Sequence, residues 1–217
     1  QVRYSAECIS VRHKKSNHEV LSEAEEKRLV AKLENDTDET DVGVLTGLFT
    51  GARIGEVCAL KCDNIDLEGG VIHIRETMQR LPNFSDGKKK TMISIDIPKS
   101  DSSNRDIPLN KKLIELLRPF IKPGAFLLTG DKSKFIEPRT LENRFGAILK
   151  KCGLKHSGFH LTRRTFATRC IERGMNPKTL AEIMGHANVS TTLNIYVSAN
   201  MREKSEGIDT LSDLFAV

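Results

Sequence analysis

Side chains at several separated places in the chain have the types needed to act on a phosphodiester. Arg53 lies in the first quarter of the chain, His160 and Arg163 stand three residues apart, and Tyr196 follows His186 by ten residues. In-line attack on phosphorus builds negative charge on the non-bridging oxygens. A guanidinium suits that charge, because it presents a planar fork of N–H donors and stays protonated. The set as a whole therefore predicts a site that handles a phosphodiester.

Taken singly, these residues also fit an ordinary protein surface. Arg53 could pair with Glu56 or Glu68, and His160 with Arg163 could be an exposed i, i+3 pair on a helix. The combination favours chemistry, because Arg53 and Arg163 can supply two forks from separate helices. His160 lies one turn before Arg163 on the same helix face and can point at the same phosphate.

His186 and Tyr196 complete the set. His186 follows Gly185, where the backbone can turn the imidazole into a site. The chain has two tyrosines, Tyr4 and Tyr196, and Tyr196 stands among aliphatic residues, so a buried tyrosine with a satisfied hydroxyl is the ordinary alternative. As a nucleophile, the phenol would form a covalent intermediate that keeps the bond energy, so DNA could be resealed without ATP. Its position downstream of His186 favours the nucleophile.

Helical patterns must position these residues. Ser22 and Glu25 have the spacing of a capping box and begin a helix with an apolar face. A second pattern spans residues 41–49, and a third helix carries Arg53. Later helices are predicted at residues 111–118, 138–151, 161–173 and 177–184, the last between the cap Asn176 and the exit at Gly185.

Between these helices the hydrophobic period changes. Residues 71–75, 92–97 and 105–109 alternate or are rich in β-branched side chains, with Gly, Asn, Ser and Asp between them. These patterns predict a small antiparallel sheet. The expected fold class is α+β, a mainly helical domain with a small antiparallel β-sheet on one side.

The ordered motifs resemble the tyrosine recombinase (phage integrase) family over nearly all of residues 20–200. The matching positions are Ala52-Arg53-x-Gly-Glu56, His160-x-x-Arg163, Met184-Gly185-His186 and Tyr196. The resemblance implies a site-specific recombinase or integrase that cuts and rejoins double-stranded DNA and thereby integrates and excises a mobile element. It implies a 3′-phosphotyrosine with a free 5′-hydroxyl, strand exchange through a Holliday junction, and no metal or other cofactor. It also implies a homo-oligomer on DNA, a dimer to tetramer in the synapse.

The resemblance assigns roles to individual residues. Arg53, His160, Arg163, His186 and Tyr196 would be catalytic. Glu56 would support the architecture of the site. The family's active-site lysine lies in a β-turn of the small sheet, and Lys99 takes the matching place, where it would protonate the leaving 5′-oxygen as a general acid. A lysine in a turn is commonly just solvated, and residues 88–90, all lysines, are competing candidates.

Two departures from the family pattern are visible. Thr162 and Arg164 stand where members often have leucine and a second histidine, and neither is a core catalytic position. Residues 79–91 form a segment longer than a minimal hairpin needs, which we interpret as an inserted loop or ribbon. Such insertions are reminiscent of conjugative-transposon integrases, so the resemblance favours a mobile element as the source.

Composition sets outer bounds on these hypotheses. The 217 residues suit one domain with a short appendage, and a net charge of +5 with clustered lysines and arginines suits a polyanion partner as well as plain solubility. The five cysteines are odd in number and lack C-x-x-C spacing, so we expect reduced thiols and no disulfide framework or zinc site. Cys58 and Cys62 stand four apart on a predicted helix but make a poor metal site.

The expected domain organisation has three parts. Residues 1–20 would be a linker or arm from a missing amino-terminal DNA-binding region, residues 21–200 the catalytic domain, and residues 201–217 a tail helix. The tail has apolar residues at three- and four-residue spacing and is too short to be helical alone in water, so it would need a groove on its own domain or on a neighbouring protomer. With no apolar run long enough for a membrane span and no secretory signal, a cytoplasmic location is expected.

Two rival functions remain compatible with the sequence. A type IB topoisomerase would use a similar nucleophile and arginines to relax supercoils, although the spacing from Arg53 to Tyr196 and the Gly185-His186 pair favour a recombinase. A DNA-binding module that has lost catalysis is the other rival, although all the catalytic residue types are present. A metal nuclease is disfavoured, because no acidic cluster has ligand-like spacing.

Overall fold

The computed structural model describes residues 19–35, 37–83, 90–97, 104–156, 158–190 and 192–193. Lys99, Tyr196, residues 1–18 of the predicted arm and the predicted tail helix lie outside these residues, so what the sequence indicates for them stays a prediction.

Helices make up about half of the described structure. They are α1 (Glu23–Glu34), α2 (Glu39–Thr50), α3 (Ile54–Ala59), α4 (Lys111–Leu117), α5 (Pro138–Lys151), α6 (His160–Glu172) and α7 (Pro177–Met184). Short 3₁₀ turns at Cys62–Asn64 and Arg118–Phe120 join some of them. Among the described residues, no helix has both the length and the apolar character needed to cross a bilayer.

Local sequence signals set several helix ends. The hydroxyl of Ser22 accepts from the backbone N–H of Glu25, and the Glu25 carboxylate accepts from the N–H of Ser22, so the predicted capping box begins α1. The Asn176 side chain accepts from the N–H of Lys178 at the start of α7, and Gly185 ends that helix with a left-handed φ of 62°. Both ends agree with the prediction.

The strands form two separate antiparallel units. β1 (Ile65–Asp66), β2 (Val71–Ile74) and β5 (Arg105–Pro108) make one sheet in the order β1-β2-β5. β3 (Thr77–Pro82) and β4 (Thr91–Asp96) pair only with each other in the described structure. The α+β class is confirmed, but the grouping of the predicted strands into one sheet was wrong.

The error arose because β3 is not apparent in the sequence. Its residues are mostly exposed or half-buried and include Pro82 at its end, so it lacks the alternation of a half-buried strand. It forms because its backbone pairs with β4 in the register Thr77 to Asp96 through Pro82 to Thr91. The segment interpreted as a loop or ribbon, residues 79–91, therefore includes in its described part the end of β3 and the first residue of β4.

The core is organised around α2. This helix packs against α1, α4, α5 and α6, and it is buried on nearly all sides: Val42, Val44, Leu45 and Leu48 are at most 3% exposed, and Thr46 and Thr50 are buried as well. A helix that is buried around nearly its whole circumference lies in the centre of a domain. The carboxyl end of α2 therefore lies in the core, and Arg53 follows it after two residues.

Helices α2 and α6 approach closely at Gly47. A Cβ atom on Gly47 would lie 2.7 Å from ring atoms of Phe159, the residue just before α6. The Phe159 ring is buried and packs edge-to-face on Phe145, with 5.5 Å between the ring centroids. Because Gly47 has no side chain, the start of α6 can pack closely against α2, and this packing places His160.

Candidate active site

Arg53 lies between α2 and α3, as the cap residue of α3 rather than inside a helix. Its backbone N–H donates to Oε2 of Glu56 (2.8 Å), and its Nη1 donates to Oε1 of the same carboxylate (2.8 Å). The side chain of Arg53 keeps 38% of its surface exposed. Glu56 therefore orients a guanidinium that is still open to a ligand.

Glu56 is buried and holds a second arginine. Its side chain is 2% exposed, and its two oxygens accept from Nη1 and Nη2 of Arg105 at 2.9 Å each, a bidentate pair. Burial opposes ionisation of Glu56, but hydrogen bonds and charge from Arg105, and then from Arg53, outweigh it. The pKa of Glu56 consequently lies below its usual value.

Arg163 points from α6 into the core. The residue is 2% exposed, with Nη1 donating to the Gly51 carbonyl and Nη2 to the Met184 carbonyl, both at 2.5 Å. Burial, together with the charge of Arg53, lowers the pKa of Arg163 to about 9, so the guanidinium is still protonated at neutral pH. These contacts use only part of its N–H donors.

The carboxyl end of α7 accepts from a different arginine at each of three consecutive residues. Nε of Arg105 donates to the Ile183 carbonyl (2.5 Å), Nη2 of Arg163 to Met184, and Nη2 of Arg53 to Gly185 (2.7 Å). Helix carboxyl ends carry partial negative charge and unpaired carbonyls, so they attract cations. This cluster brings Arg53 and Arg163 together and places them directly before His186.

His186 follows the cluster. Its Nδ1 lies 2.7 Å from Oγ1 of the buried Thr192, which leaves Nε2 on the other side of the ring. Burial, followed by the charges of Arg163, Arg53 and Arg105, lowers the pKa of His186 to about 4. The imidazole is therefore neutral near pH 7.

His160 begins α6 and is exposed. Repulsion from His160 is the smallest contribution to the low pKa of His186, after burial and the three arginines. With Arg163 one turn later on α6, four of the predicted site residues converge: Arg53, His160, Arg163 and His186. Lys99 and Tyr196 lie outside the described residues, and the described part of the helical segment before Tyr196 consists of Val189, Ser190, Thr192 and Leu193.

Two residues with evident roles were missed by the sequence reasoning. Arg105 shares a strand face with buried Ile107, and a charge at a core position signals a buried partner. Thr192 has no comparable signal, because nothing in its neighbourhood indicates that its hydroxyl meets His186.

Cys58 and Cys62 were expected to lie on one helix. Cys58 lies in α3 and Cys62 in the following 3₁₀ turn, so the expectation of one helix carrying both was wrong. Burial raises the pKa of Cys58 to about 12 and also raises that of Cys62, which keeps both as thiols.

A mainly helical α+β domain that gathers two arginines and two histidines in this chain order, ahead of a tyrosine, is the catalytic domain of a tyrosine recombinase of the integrase type. Residues 19–203 match the model described as the phage integrase family, and the chain belongs to that family.

Curated relatives agree with this assignment. A tyrosine recombinase XerC-like protein of Caldanaerobacter subterraneus is 30% identical over 189 residues, covering 79% of this chain and 48% of the relative. The transposase from transposon Tn916 of Enterococcus faecalis is 27% identical over 200 residues, covering 83% of this chain and 48% of the relative. The chain thus spans about half the length of these relatives.

Solved structures resemble the chain throughout the described region. The Tn1549 transposon integrase in complex with circular intermediate DNA has a TM-score of 0.74 and 28% identity, covering 91% of this chain and 68% of that one. XerA recombinase, at 23% identity and a TM-score of 0.64, shares the fold.

Proposed function

We propose that this chain is the catalytic domain of a site-specific DNA recombinase that cleaves and rejoins DNA through a covalent bond between Tyr196 and a 3′-phosphate. The observation that carries the proposal is the convergence of Arg53, Arg163 and His186 at the carboxyl end of α7, ten residues before Tyr196. A cluster of protonated guanidiniums with N–H donors to spare suits the charge that develops on a phosphodiester in transfer.

The roles of the described residues follow from their exposure and protonation. Arg53 is the more exposed arginine and would contact the phosphate directly, while Arg163 would supply charge and N–H donors from the buried side. His186 is neutral, and with Nδ1 facing Thr192 its Nε2 is available to a phosphate oxygen. His160 would contact the same phosphate from the first turn of α6.

The reaction is a transesterification. The bond from phosphorus to the Tyr196 oxygen forms as the bond to the 5′-oxygen breaks, so no phosphate bond energy is lost. The phenol loses its proton to solvent water and the 5′-oxygen gains one, for which we propose Lys99 as the general acid. Attack by a 5′-hydroxyl on the phosphotyrosine reverses these steps and releases Tyr196.

We further propose that the protein integrates and excises a mobile element. The names of similar proteins support this, because they include the transposase of Tn916 and the integrase of Tn1549. Double-stranded DNA is the proposed partner, with a homo-oligomer of two to four protomers joining two sites through a Holliday junction. The arm at residues 1–20 and the tail at 201–217 would connect the domain to other parts of that assembly.

Covalent capture tests the proposal even though the target sequence is unknown. The chain is incubated with a pool of duplexes of randomised sequence, each carrying a nick close to a possible cleavage site. The short strand that bears the free 5′-hydroxyl diffuses away after cleavage, so the covalent complex accumulates and its DNA can be sequenced. We expect an adduct with a consensus sequence, and mass spectrometry should locate it at Tyr196.

The matched control is Tyr196→Phe, which removes one hydroxyl. It should bind the captured sequence with unchanged affinity and form no adduct. An adduct that persists in this variant would contradict the assignment of the nucleophile. Binding without any adduct in the native chain would support an inactive DNA-binding module, and relaxation of a supercoiled plasmid without strand exchange would support topoisomerase-like activity.

A further inference from the structure

Arg105 is a third arginine in the cluster, and the phosphate chemistry described above does not use it. It is the first residue of β5, where it pairs with Ile74 and lies on the same strand face as Ile107. Its side chain is 6% exposed, compared with 38% for Arg53. Arg105 is therefore shielded from a ligand that could reach Arg53.

The contacts of Arg105 join three elements of the site. Its Nη1 and Nη2 atoms bind both oxygens of Glu56 on α3, and its Nε binds the Ile183 carbonyl at the end of α7. Glu56 in turn binds the backbone and the guanidinium of Arg53. The Arg105 side chain thereby connects the backbone of Arg53, through Glu56, to the carboxyl end of α7, which lies just before His186.

A lysine could not make the same contacts. Its ammonium group is a single point of donation, whereas the contacts of Arg105 need three N–H groups spread along a planar fork. Without the fork, Glu56 would lose half of its hydrogen-bond donors, because Arg105 supplies two and Arg53 the other two. The orientation of the Arg53 guanidinium depends on that carboxylate.

We propose that Arg105 is a positioning residue for DNA cleavage, which acts through Glu56 to aim Arg53 at the scissile phosphate and through Ile183 to hold His186 beside it. This inference rests on the proposed function. It predicts that Arg53 no longer accelerates cleavage at a charged phosphate when Arg105 is lost, even though Arg105 itself would make no contact with DNA.

The test compares a charged with an uncharged scissile group. Nicked duplexes of the captured sequence carry either a normal phosphate or a methylphosphonate at the cleavage position, and adduct formation is followed in single turnover at saturating DNA. On the phosphate, Arg105→Lys should reduce the rate constant about 100-fold, the size expected when one preorganised donor is lost. The Kd for DNA should change less than about threefold, because the lost interaction belongs to the transition state.

On the methylphosphonate, the native chain and Arg105→Lys should differ by less than about threefold, since that neutral group has lost one of the two charged non-bridging oxygens and needs less stabilisation from Arg53. Arg53→Lys should show the same pattern as Arg105→Lys, with a large loss of rate on the phosphate and a small one on the methylphosphonate. If Arg105→Lys is slowed equally on both substrates, its role is merely structural and the inference is overturned.

Arg169 provides the matched structural control. It also joins separate elements, because Nε binds Glu26 on α1 at 2.7 Å and Nη2 binds the Leu21 carbonyl at 2.6 Å, and these contacts are away from the cluster at α7. Arg169→Lys should lower thermal stability and change the two cleavage rates in the same proportion. A charge-dependent loss in this variant would overturn the inference, because it would follow from general destabilisation.

A second variant covers the case in which Arg105→Lys does not fold. Replacing the buried pair by Glu56→Met with Arg105→Leu removes both charges, a change that commonly preserves stability. The folded double variant should show the same charge-dependent loss of cleavage, and native rates on the phosphate would overturn the inference. The native chain is measured first, and absence of its adduct contradicts the proposed function. If the native chain forms the adduct but Arg105→Lys is slowed equally on the phosphate and the methylphosphonate, only the positioning role is overturned.

Discussion

At the scale of single residues, the site depends on charges that modify one another. His186 has a pKa of about 4 because it is half-buried and faces Arg163, Arg53 and Arg105. Arg53 and Arg163, which would bind a phosphate, therefore act together with burial and Arg105 to keep the imidazole neutral until a phosphate arrives. Negative charge on a bound phosphodiester offsets the arginines, so DNA binding should raise the pKa of His186 and favour its protonation.

The depressed pKa of His186 predicts how stability depends on pH. In the unfolded chain this histidine takes up a proton near pH 6.5, but in the folded chain only near pH 4. Its contribution is complete above pH 6.5 and is lost as the pH falls from 6.5 to 4, because only the unfolded state binds the proton in that range.

Thermal melting of the native chain and His186→Gln measures this contribution. The melting temperature of the native chain should fall by a few degrees more than that of the variant between pH 7 and pH 4.5. Parallel curves for the two proteins would contradict the low pKa.

Arg53→Lys tests the fork at the exposed arginine. The lysine keeps the charge but cannot bind Glu56 and the Gly185 carbonyl together while facing a phosphate. Cleavage at saturating DNA should fall about 100-fold or more, and binding, measured by fluorescence anisotropy, should change far less. Equal losses in cleavage and binding would indicate that Arg53 only anchors DNA.

At the scale of secondary-structure elements, local signals located most helices. The start of α1 at Ser22 and the two ends of α7 at Asn176 and Gly185 depend on residues close in sequence, so they could be predicted. The position of Arg53 before α3 and the pairing of β3 with β4 depend on distant partners and could not. The cluster at α7 was also invisible, because the acceptors at residues 183–185 are backbone carbonyls, which leave no trace in residue identity.

The contact of α2 with α6 yields a prediction with a matched pair of glycines. Gly47→Ala would place a methyl group 2.7 Å from the confined ring of Phe159, whereas the same change at Gly146 in α5 meets nothing within 4 Å. We expect Gly47→Ala to cost about 1–3 kcal/mol of unfolding free energy. Gly146→Ala should gain up to about 1 kcal/mol from helix propensity.

Urea denaturation measures both variants, and the cleavage assay separates their effects on function. Because Phe159 precedes His160, Gly47→Ala should also slow cleavage, while Gly146→Ala should cleave at the native rate. Equal stability of the two variants would show that α2 and α6 can move apart without cost.

At the scale of the whole molecule, the tail gives the most direct prediction. Its apolar residues at helical spacing need a groove, and packing onto the domain's own core is the alternative to packing onto a neighbouring protomer. If the tail docks on a neighbour, deleting residues 207–217 should lower the size of the DNA-bound oligomer and make cleavage independent of assembly. Light scattering and adduct yield measure the two effects, and no change in either would contradict a coupling role.

The arginines around the end of α7 also bear on how this protein can be improved. The pKa of Arg163 is lowered in part by the charges of Arg53 and Arg105, which means that the protonated arginines repel one another and lower the stability of the folded protein. Stability and activity are therefore opposed at this point of the molecule. A selection for heat resistance in the absence of DNA would favour variants in which a neutral residue replaces one of these arginines, and these variants would lose catalytic activity. The same selection carried out in the presence of the target DNA would retain all three.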